Sequence, residues 1–455
     1  MKDIHASQAL LPEGWARDVR LRIDSAGRIA EVTPESAPGE AQRVGLLLPA
    51  PVNVHSHAFQ RAMAGLTEHR GPGGKDSFWT WRQLMFRFLD RLTPAQVEAI
   101  TALVQMEMLE AGYGASVEFH YLHHRPGGAP YDDLAEMSAR ICAAAGTSGM
   151  GLCLLPVHYQ FGGCAGGPLG PGQIRFGNDL ARFQRLHEGA AHHLSNLPAD
   201  ATLGAAPHSL RAVGQADLRR YTALFPEGPL HMHLAEQIPE VAEVEQTWGA
   251  RPVTWALSEM ALDSRWCLIH CTQMTPDETR NLAQSGATAG LCPITESNLG
   301  DGIFPGTDWL AAGGALAIGS DSNVRISLSE EVRTLDYSQR LRDHSRAALA
   351  DESRSTGRRL FEALCAGGAR AAGRPTGALA PGLWADLLAL DTEDHRLAGR
   401  QGDALLDTWL FAADDSLVRE VWSAGRHLVQ QGRHRDRESI TWAYRAALAE
   451  LEAAL

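Results

Sequence analysis

The sequence predicts an α/β fold: a (β/α)8 TIM-like barrel with a smaller β-sandwich domain assembled from both chain ends. Three observations carry this expectation. Eight short apolar or small-residue runs alternate with helical stretches through the middle of the chain. The two ends read instead as strands separated by turns. The chain, at 455 residues, is longer than one hydrophobic core usually fills. The expected division is 1–48 and 376–455 for the small domain and 49–375 for the barrel.

At the first end, Val19, Leu21 and Ile23 alternate with Arg20 and Arg22, Asp24 to Gly27 offers a turn, and 28–32 returns. The eight central runs are 44–54, 115–119, 150–157, 201–206, 228–232, 266–269, 287–294 and 314–318. The clearest helix between them starts at Thr93 as N-cap with Pro94 in the first turn. It runs through Val97, Ile100, Val104 and Met108 to Gly112. No GxGxxG or GxxxxGK[ST] follows the first run, so a doubly wound nucleotide-binding sheet loses its usual support. Two glycine-bearing connections, 69–82 and 161–173, fall on the face where barrel enzymes place their sites. They are expected either to cover a substrate or to be plain surface insertions. At the second end, 387–390, 418–422 and 427–430 read as strands and 438–455 as an amphipathic helix.

Composition removes several function classes. Hydrophobic residues at 44% and charged residues at 21% describe a globular chain and exclude extended disorder. The 41 Lys+Arg against 54 Asp+Glu leave a net charge of -13, which argues against nucleic acid or an anionic membrane as partner. The start carries no apolar stretch of signal-peptide length, and no segment is long and apolar enough to span a bilayer. The seven cysteines are odd in number and have no CxxC pair. Cys153, Cys267 and Cys292 lie in apolar runs, so they read as reduced core residues of a cytoplasmic protein.

Histidine carries the chemistry. His55 and His57 are two apart at the end of the first strand, so both rings point to one side. The fifth strand ends in His231-Met-His233-Leu-Ala-Glu236, the sixth in His270, and the eighth in Gly319-Ser-Asp321. Each falls at the C-terminal end of a barrel strand, where barrel active sites lie. His55, His57, His233 and Asp321 suffice for one catalytic zinc ion with a position left for water, iron being the alternative metal. Glu236 and His270 remain for proton work, with Asp321 able to share it.

This constellation resembles the amidohydrolase superfamily, and within it the mononuclear deaminase branch. The stretch Gly377-Ala-Leu-Ala-Pro-Gly382-Leu-Trp-Ala-Asp386 resembles the segment with which such enzymes re-enter their small domain. The strings Ser77-Phe-Trp-Thr-Trp-Arg82, Glu118-Phe-His-Tyr121-Leu-His-His124 and His208-Ser-Leu-Arg211-Ala-Val are more specific. They are similar to the formimidoylglutamate deiminase family. Its first strand is expected to carry a glycine after the first proline, where this chain reads Pro49-Ala-Pro51. The resemblance implies hydrolysis of N-formimino-L-glutamate to N-formyl-L-glutamate and ammonia in histidine degradation, with Glu236 as proton shuttle. It also implies a small dicarboxylate substrate held by Arg82 and Arg211 and finished by Gln60, Tyr121 and His208, and a homodimer.

Two other functions compete. A deaminase of a purine, pyrimidine or triazine ring shares the metal site but needs contacts to a flat heterocycle. A metal-stabilised binding protein without turnover leaves Glu236 and His270 without a purpose. Single residues also have plainer readings. His231 is expected to support the ligands, or else to be a core histidine. Glu118 sits near the metal or serves a structural hydrogen bond. His120 and His124 are structural or rim residues. Glu296 and Asn298 are expected to end the seventh strand and order its loop. Trp79 and Trp81 belong to a lid or to loop packing.

Overall fold

The computed structural model describes residues 2–68 and 78–454, with backbone alone for 78–83 and 454. Its centre is a closed set of parallel strands. One arc contains Val52–Ser56, Ala115–His120, Gly151–His158 and the short pieces Thr202–Leu203 and Ala206–Pro207. The other contains Leu230–Leu234, Trp266–His270, Thr288–Leu291 and Ala315–Ile318. Parallel bridges Ala205–Leu230 and Ser56–Asp321 join the arcs at both seams. Nearly every strand residue is buried, as expected where helices cover the outside and side chains fill the inside.

Two expected strands differ. The run 44–54 is two strands: Gln42–Pro49 belongs to the end sheet and Val52–Ser56 to the barrel. Pro49 and Pro51 have no N–H to continue one ladder, so the chain crosses between domains there. Ala50 N–H is held instead by the carbonyl of Asp386 at 2.9 Å. The fourth strand is broken at Gly204, where a Cβ would stand 2.3 Å from the carbonyl oxygen of Pro229. Backbone approach that close displaces the strand from its neighbour's ladder. The helix Pro94–Glu110 begins as its sequence requires: Thr93 accepts from Gln96 N–H, and the Gln96 side chain returns to Thr93 N–H.

The end strands form one hydrogen-bonded path of eight. Its order is Arg433–His434, Arg426–Gln430, Val418–Ser423, Leu387–Leu390, Gln42–Pro49, Lys2–Leu11, Gly14–Ile23 and Ile29–Thr33. The sandwich expected from the ends takes the form of this single sheet curled on itself. An antiparallel bridge from Arg28 to Trp384 brings distant segments together over a core of Ile4, Val19, Leu21, Leu47, Leu387 and Trp422. The last helix, Arg437–Ala454, returns to the barrel, where Ile440 packs on Leu103 and Met106. Among the described residues no helix is long and apolar enough to cross a membrane.

Candidate active site and metal centre

The C-terminal rim of the barrel brings His55, His57, His233 and Asp321 together. All four are buried, and each offers a donor atom within 4.8 Å of the others. Backbone carbonyls set the ring tautomers. His57 Nδ1 donates to Phe119 O at 2.8 Å, and His233 Nδ1 donates to His208 O at 3.0 Å. Their Nε2 atoms therefore present lone pairs to the centre. There His57 Nε2 and His55 Nε2 lie 3.3 and 3.5 Å from Asp321 Oδ1, and His55 Nε2 lies 3.1 Å from His233 Nε2. Burial holds His55 and His233 well below the ordinary imidazole range and lowers His57 as well. Lone pairs of neutral imidazoles facing a carboxylate make a poor hydrogen-bonded cluster. They make a good donor set for a divalent cation that takes nitrogen and oxygen, zinc being the common case.

Asp321 reaches the cluster through glycine. A Cβ at Gly319 would lie 2.6 Å from His55 N, so only glycine lets the eighth strand come this close to the first. Ser320 and Asp321 N–H then both donate to His55 O, at 3.0 and 2.9 Å. Asp321 itself takes a φ of 45°, His270 73°, Cys271 51° and Ala235 52°. Left-handed backbone in non-glycine residues is costly, and here it surrounds the site.

Glu236 and His270 border the same point. His270 Nε2 stands 3.9 Å from Glu236 Oε1 and 3.9 Å from Asp321 Oδ2, while its Nδ1 bonds Glu296 Oε1 at 3.2 Å. Against the penalty of burial, Glu236, Glu296 and Asp321 push His270 up to about 10. Burial raises Glu236 above the ordinary carboxylate value, against the pull of His270 and Arg211. Glu296 corrects an expectation. It does not end a strand but lies in the helix Pro293–Leu299, one buried turn from His270, while Asn298 on the same helix bonds Glu68. Pro293 in the first turn and Gly300 at φ 73° were the sequence signals for that helix.

A cavity opens beside these groups. Gln60, Tyr121, His208 and Arg211 all line it. Gln60 Nε2 donates to Tyr121 Oη at 3.0 Å, and Arg211 Nη2 stands 3.7 Å from Glu236 Oε2. Arg82, Trp79 and Trp81 fall on the helix Phe78–Leu89, but their side chains lie outside the described residues. The cavity also has walls that motif reading missed, Tyr159 and Phe176 among them. Tyr159 directly follows the third strand, the position that singled out the other site residues. Its hydroxyl accepts from Gln173 Nε2 at 2.8 Å, which ties the glycine-bearing connection 161–173 to the cavity wall.

Comparison with known proteins agrees with this geometry. Residues 46–428 match the Amidohydrolase family. The chain belongs to that family. Residues 1–45 match a second description, "Formimidoylglutamate deiminase HutF, N-terminal domain". Formimidoylglutamate deiminase of Pseudomonas aeruginosa is 49% identical over 99% of this chain and 100% of its own length. The 8-oxoguanine deaminase of the same organism is 28% identical, over 81% of this chain and 79% of its own. A crystal structure of an amidohydrolase from Brucella melitensis superposes with a TM-score of 0.95 at 47% identity, covering 99% of this chain and 100% of that one. An adenosine deaminase from Xanthomonas campestris with bound zinc shares the fold, with a TM-score of 0.81 at 21% identity, covering 99% and 98%.

Within this amidohydrolase four further histidines have local partners. His231 Nε2 donates to Ala371 O at 2.7 Å, so it braces a barrel helix and bonds none of the four clustered residues. His120 meets Ser138 Oγ at 2.9 Å, His123 donates to Val157 O at 2.8 Å, and His124 donates to Gly177 O at 2.9 Å. Glu118 Oε1 accepts Ala58 N–H at 2.7 Å, fixing the chain just beyond His57, and burial pushes its carboxyl up to about 8.

Proposed function

We propose that this enzyme hydrolyses N-formimino-L-glutamate to N-formyl-L-glutamate and ammonia, as a step in histidine degradation. The observation that carries the substrate assignment is the 49% identity, over both full lengths, to a formimidoylglutamate deiminase. The cavity supports it chemically, because it sets a buried guanidinium, Arg211, beside the acid–base pair Glu236 and His270. A flat neutral heterocycle has no use for that cation, whereas a carboxylate pairs with it.

In this reading His55, His57, His233 and Asp321 hold one divalent ion, zinc, with iron as the alternative. Bound there, the ion supplies Lewis acidity and lowers the pKa of a water from 15.7 towards about 7. Glu236 takes a proton from the attacking water. It delivers that proton to the formimino nitrogen, and the remaining proton of the new hydroxyl passes to the same nitrogen as the carbonyl forms and ammonia leaves. His270, held by Glu296, donates a hydrogen bond to the oxygen that joins the carbon, and Asp321 shares in accepting the water's proton. Arg211 binds one substrate carboxylate and Arg82 the other, while Gln60, Tyr121 and His208 complete the cradle. The carbonyls of Phe119 and His208 keep the two ring tautomers fixed throughout.

The same reading makes the protein a cytoplasmic homodimer that needs neither nucleic acid nor membrane. Its seven cysteines, all buried and unpaired, suit a reducing compartment. The test is ammonia release from N-formimino-L-glutamate, with 8-oxoguanine and guanine as controls and metal content measured on the same sample. Turnover of the formimino compound alone supports the proposal. Ammonia from the purines alone rejects it in favour of a ring deaminase, and none from any substrate rejects catalysis of this kind.

A further inference from the structure

The proton shuttle is delivered on a turn that does not hold itself. Ala235, just before Glu236, has φ 52°, and the helix that follows, Ile238–Trp248, starts without a side-chain cap from its N-cap residue Gln237. Gln237 turns its amide to Asp301 instead. The cap comes from inside the helix. Glu240, at its third position and 1% exposed, accepts Glu236 N–H through Oε2 at 2.9 Å. On the other side Thr272 Oγ1 donates to Glu236 O at 2.7 Å, and Gln273 N–H donates to Ala235 O at 2.9 Å. The peptide groups on both sides of Glu236 are therefore fixed by side chains from two different elements.

The second oxygen of Glu240 is buried and makes no hydrogen bond, and so is Nε of Arg211. Against the penalty of burial, the carboxylates of Glu240 and Glu236, in that order, hold Arg211 charged. The hydrogen bond from Glu236 N–H to Glu240 fixes the backbone of the shuttle.

We propose that Glu240 is a positioning residue, which with Thr272 clamps Glu236 for proton transfer. This rests on the deiminase reading for its kinetic test, but the clamp is also measurable without substrate. Glu240→Gln keeps an acceptor for Glu236 N–H and loses the charge. Glu240→Ala loses both. With zinc-loaded enzyme and N-formimino-L-glutamate, Glu240→Gln is expected to keep kcat and KM within about 3-fold of the parent. Glu240→Ala is expected to lose kcat by about 10–100-fold, the usual scale for groups that orient a catalytic one. Thr272→Val, which frees the carbonyl of Glu236, is expected to lower kcat by roughly 3–10-fold. A general structural defect lowers the folded or metal-loaded fraction and does not separate Gln from Ala in kcat per metal-loaded molecule.

Hydrogen–deuterium exchange supplies the substrate-free readout. The amide of Glu236 is expected to exchange faster in Glu240→Ala than in the parent and to stay protected in Glu240→Gln. The proposal is overturned if Glu240→Ala matches the parent in kcat and KM per metal-loaded molecule, or if Gln and Ala lose kcat equally. Should Glu240→Ala not fold, an unchanged kcat in Thr272→Val overturns it. A parent enzyme that releases no ammonia from N-formimino-L-glutamate defeats the deiminase reading. Exchange at Glu236 then decides the clamp by itself, with unchanged protection in Glu240→Ala overturning it.

Discussion

The two ends of the barrel each bury a cluster of charged groups, and they treat them in opposite ways. At the end where the strands begin, Arg374 bonds Asp386 through Nε at 2.7 Å and through Nη2 at 2.9 Å, and Asp200 at 2.8 Å. Arg426 closes on Asp200 with two bonds of 2.7 Å, and Ala424 N–H adds a bond to Asp386 at 2.7 Å. Charges of opposite sign alternate and each carboxylate oxygen is used, so the network joins the barrel to the end sheet as a finished structure. At the other end three imidazole rings and Asp321 converge on one point, and His57 and His233 turn lone pairs to it. Burial lowers the proton affinity of those rings. A buried polar group costs free energy unless it is partnered. One end is complete by itself, and the other is arranged for something that arrives.

Substitutions at the two ends are therefore expected to fail differently. The largest loss is at the rim. Glu236→Ala is expected to lower kcat by about 10²–10⁴-fold while metal content and thermal stability stay near those of the parent. Surviving turnover in metal-loaded Glu236→Ala removes its role as shuttle. At the opposite end Asp386→Ala strands a buried guanidinium and is expected to cost about 3–5 kcal/mol in denaturant unfolding. Its folded fraction should keep kcat/KM within about 3-fold, and a large specific loss of activity breaks the division between the ends.

Arg211→Ala is the next test, because Arg211 is a rim cation with no metal to bind. KM is expected to rise roughly 30-fold or more with metal content intact, the scale of an unpaired buried carboxylate. Equal use of the neutral diamide of the substrate by the parent enzyme contradicts this pairing. The smallest effect concerns histidines that belong to neither cluster. Burial lowers His158 to about 4 and His120 to about 3, against 6.5 for a free imidazole. Above pH 6.5 both folded and unfolded forms are neutral and nothing is lost. As the pH falls from about 6.5 towards 4 the unfolded chain takes up protons that the folded chain refuses, so stability drops by on the order of 1–3 kcal/mol per group. Denaturant titrations at pH 7.5, 6 and 5 read this slope, and a flat profile contradicts it.

Much of the rim was legible because barrel geometry converts strand ends into neighbours. His55-x-His57, His233-x-x-Glu236, His270 and Asp321 each follow an apolar run, and the fold gathers run ends at one face. The parts that were not legible depend on where a segment stops or on which backbone lies opposite. Glu296 was hidden because the seventh run reads apolar through Ile294, although the chain turns helical at Pro293. The division of 44–54 between two sheets needed Asp386, more than 300 residues away, to receive Ala50 N–H. Tyr159 obeyed the strand-end rule and was passed over only because no motif marked it. Glu240 carries no spacing signal of its own, since its role arises from the turn at Ala235, which brings Glu236 N–H to its carboxylate.

The central claim is that four residues from three strands serve one metal ion. Metal analysis of the purified chain, before and after chelation, with ammonia release followed on the same samples, tests it most directly. The account expects about one equivalent of zinc or iron per chain, loss of ammonia release on removing it, recovery on restoring it, and no stoichiometric metal in His233→Ala. Full turnover of N-formimino-L-glutamate by metal-free protein, or undiminished metal in His233→Ala, contradicts it.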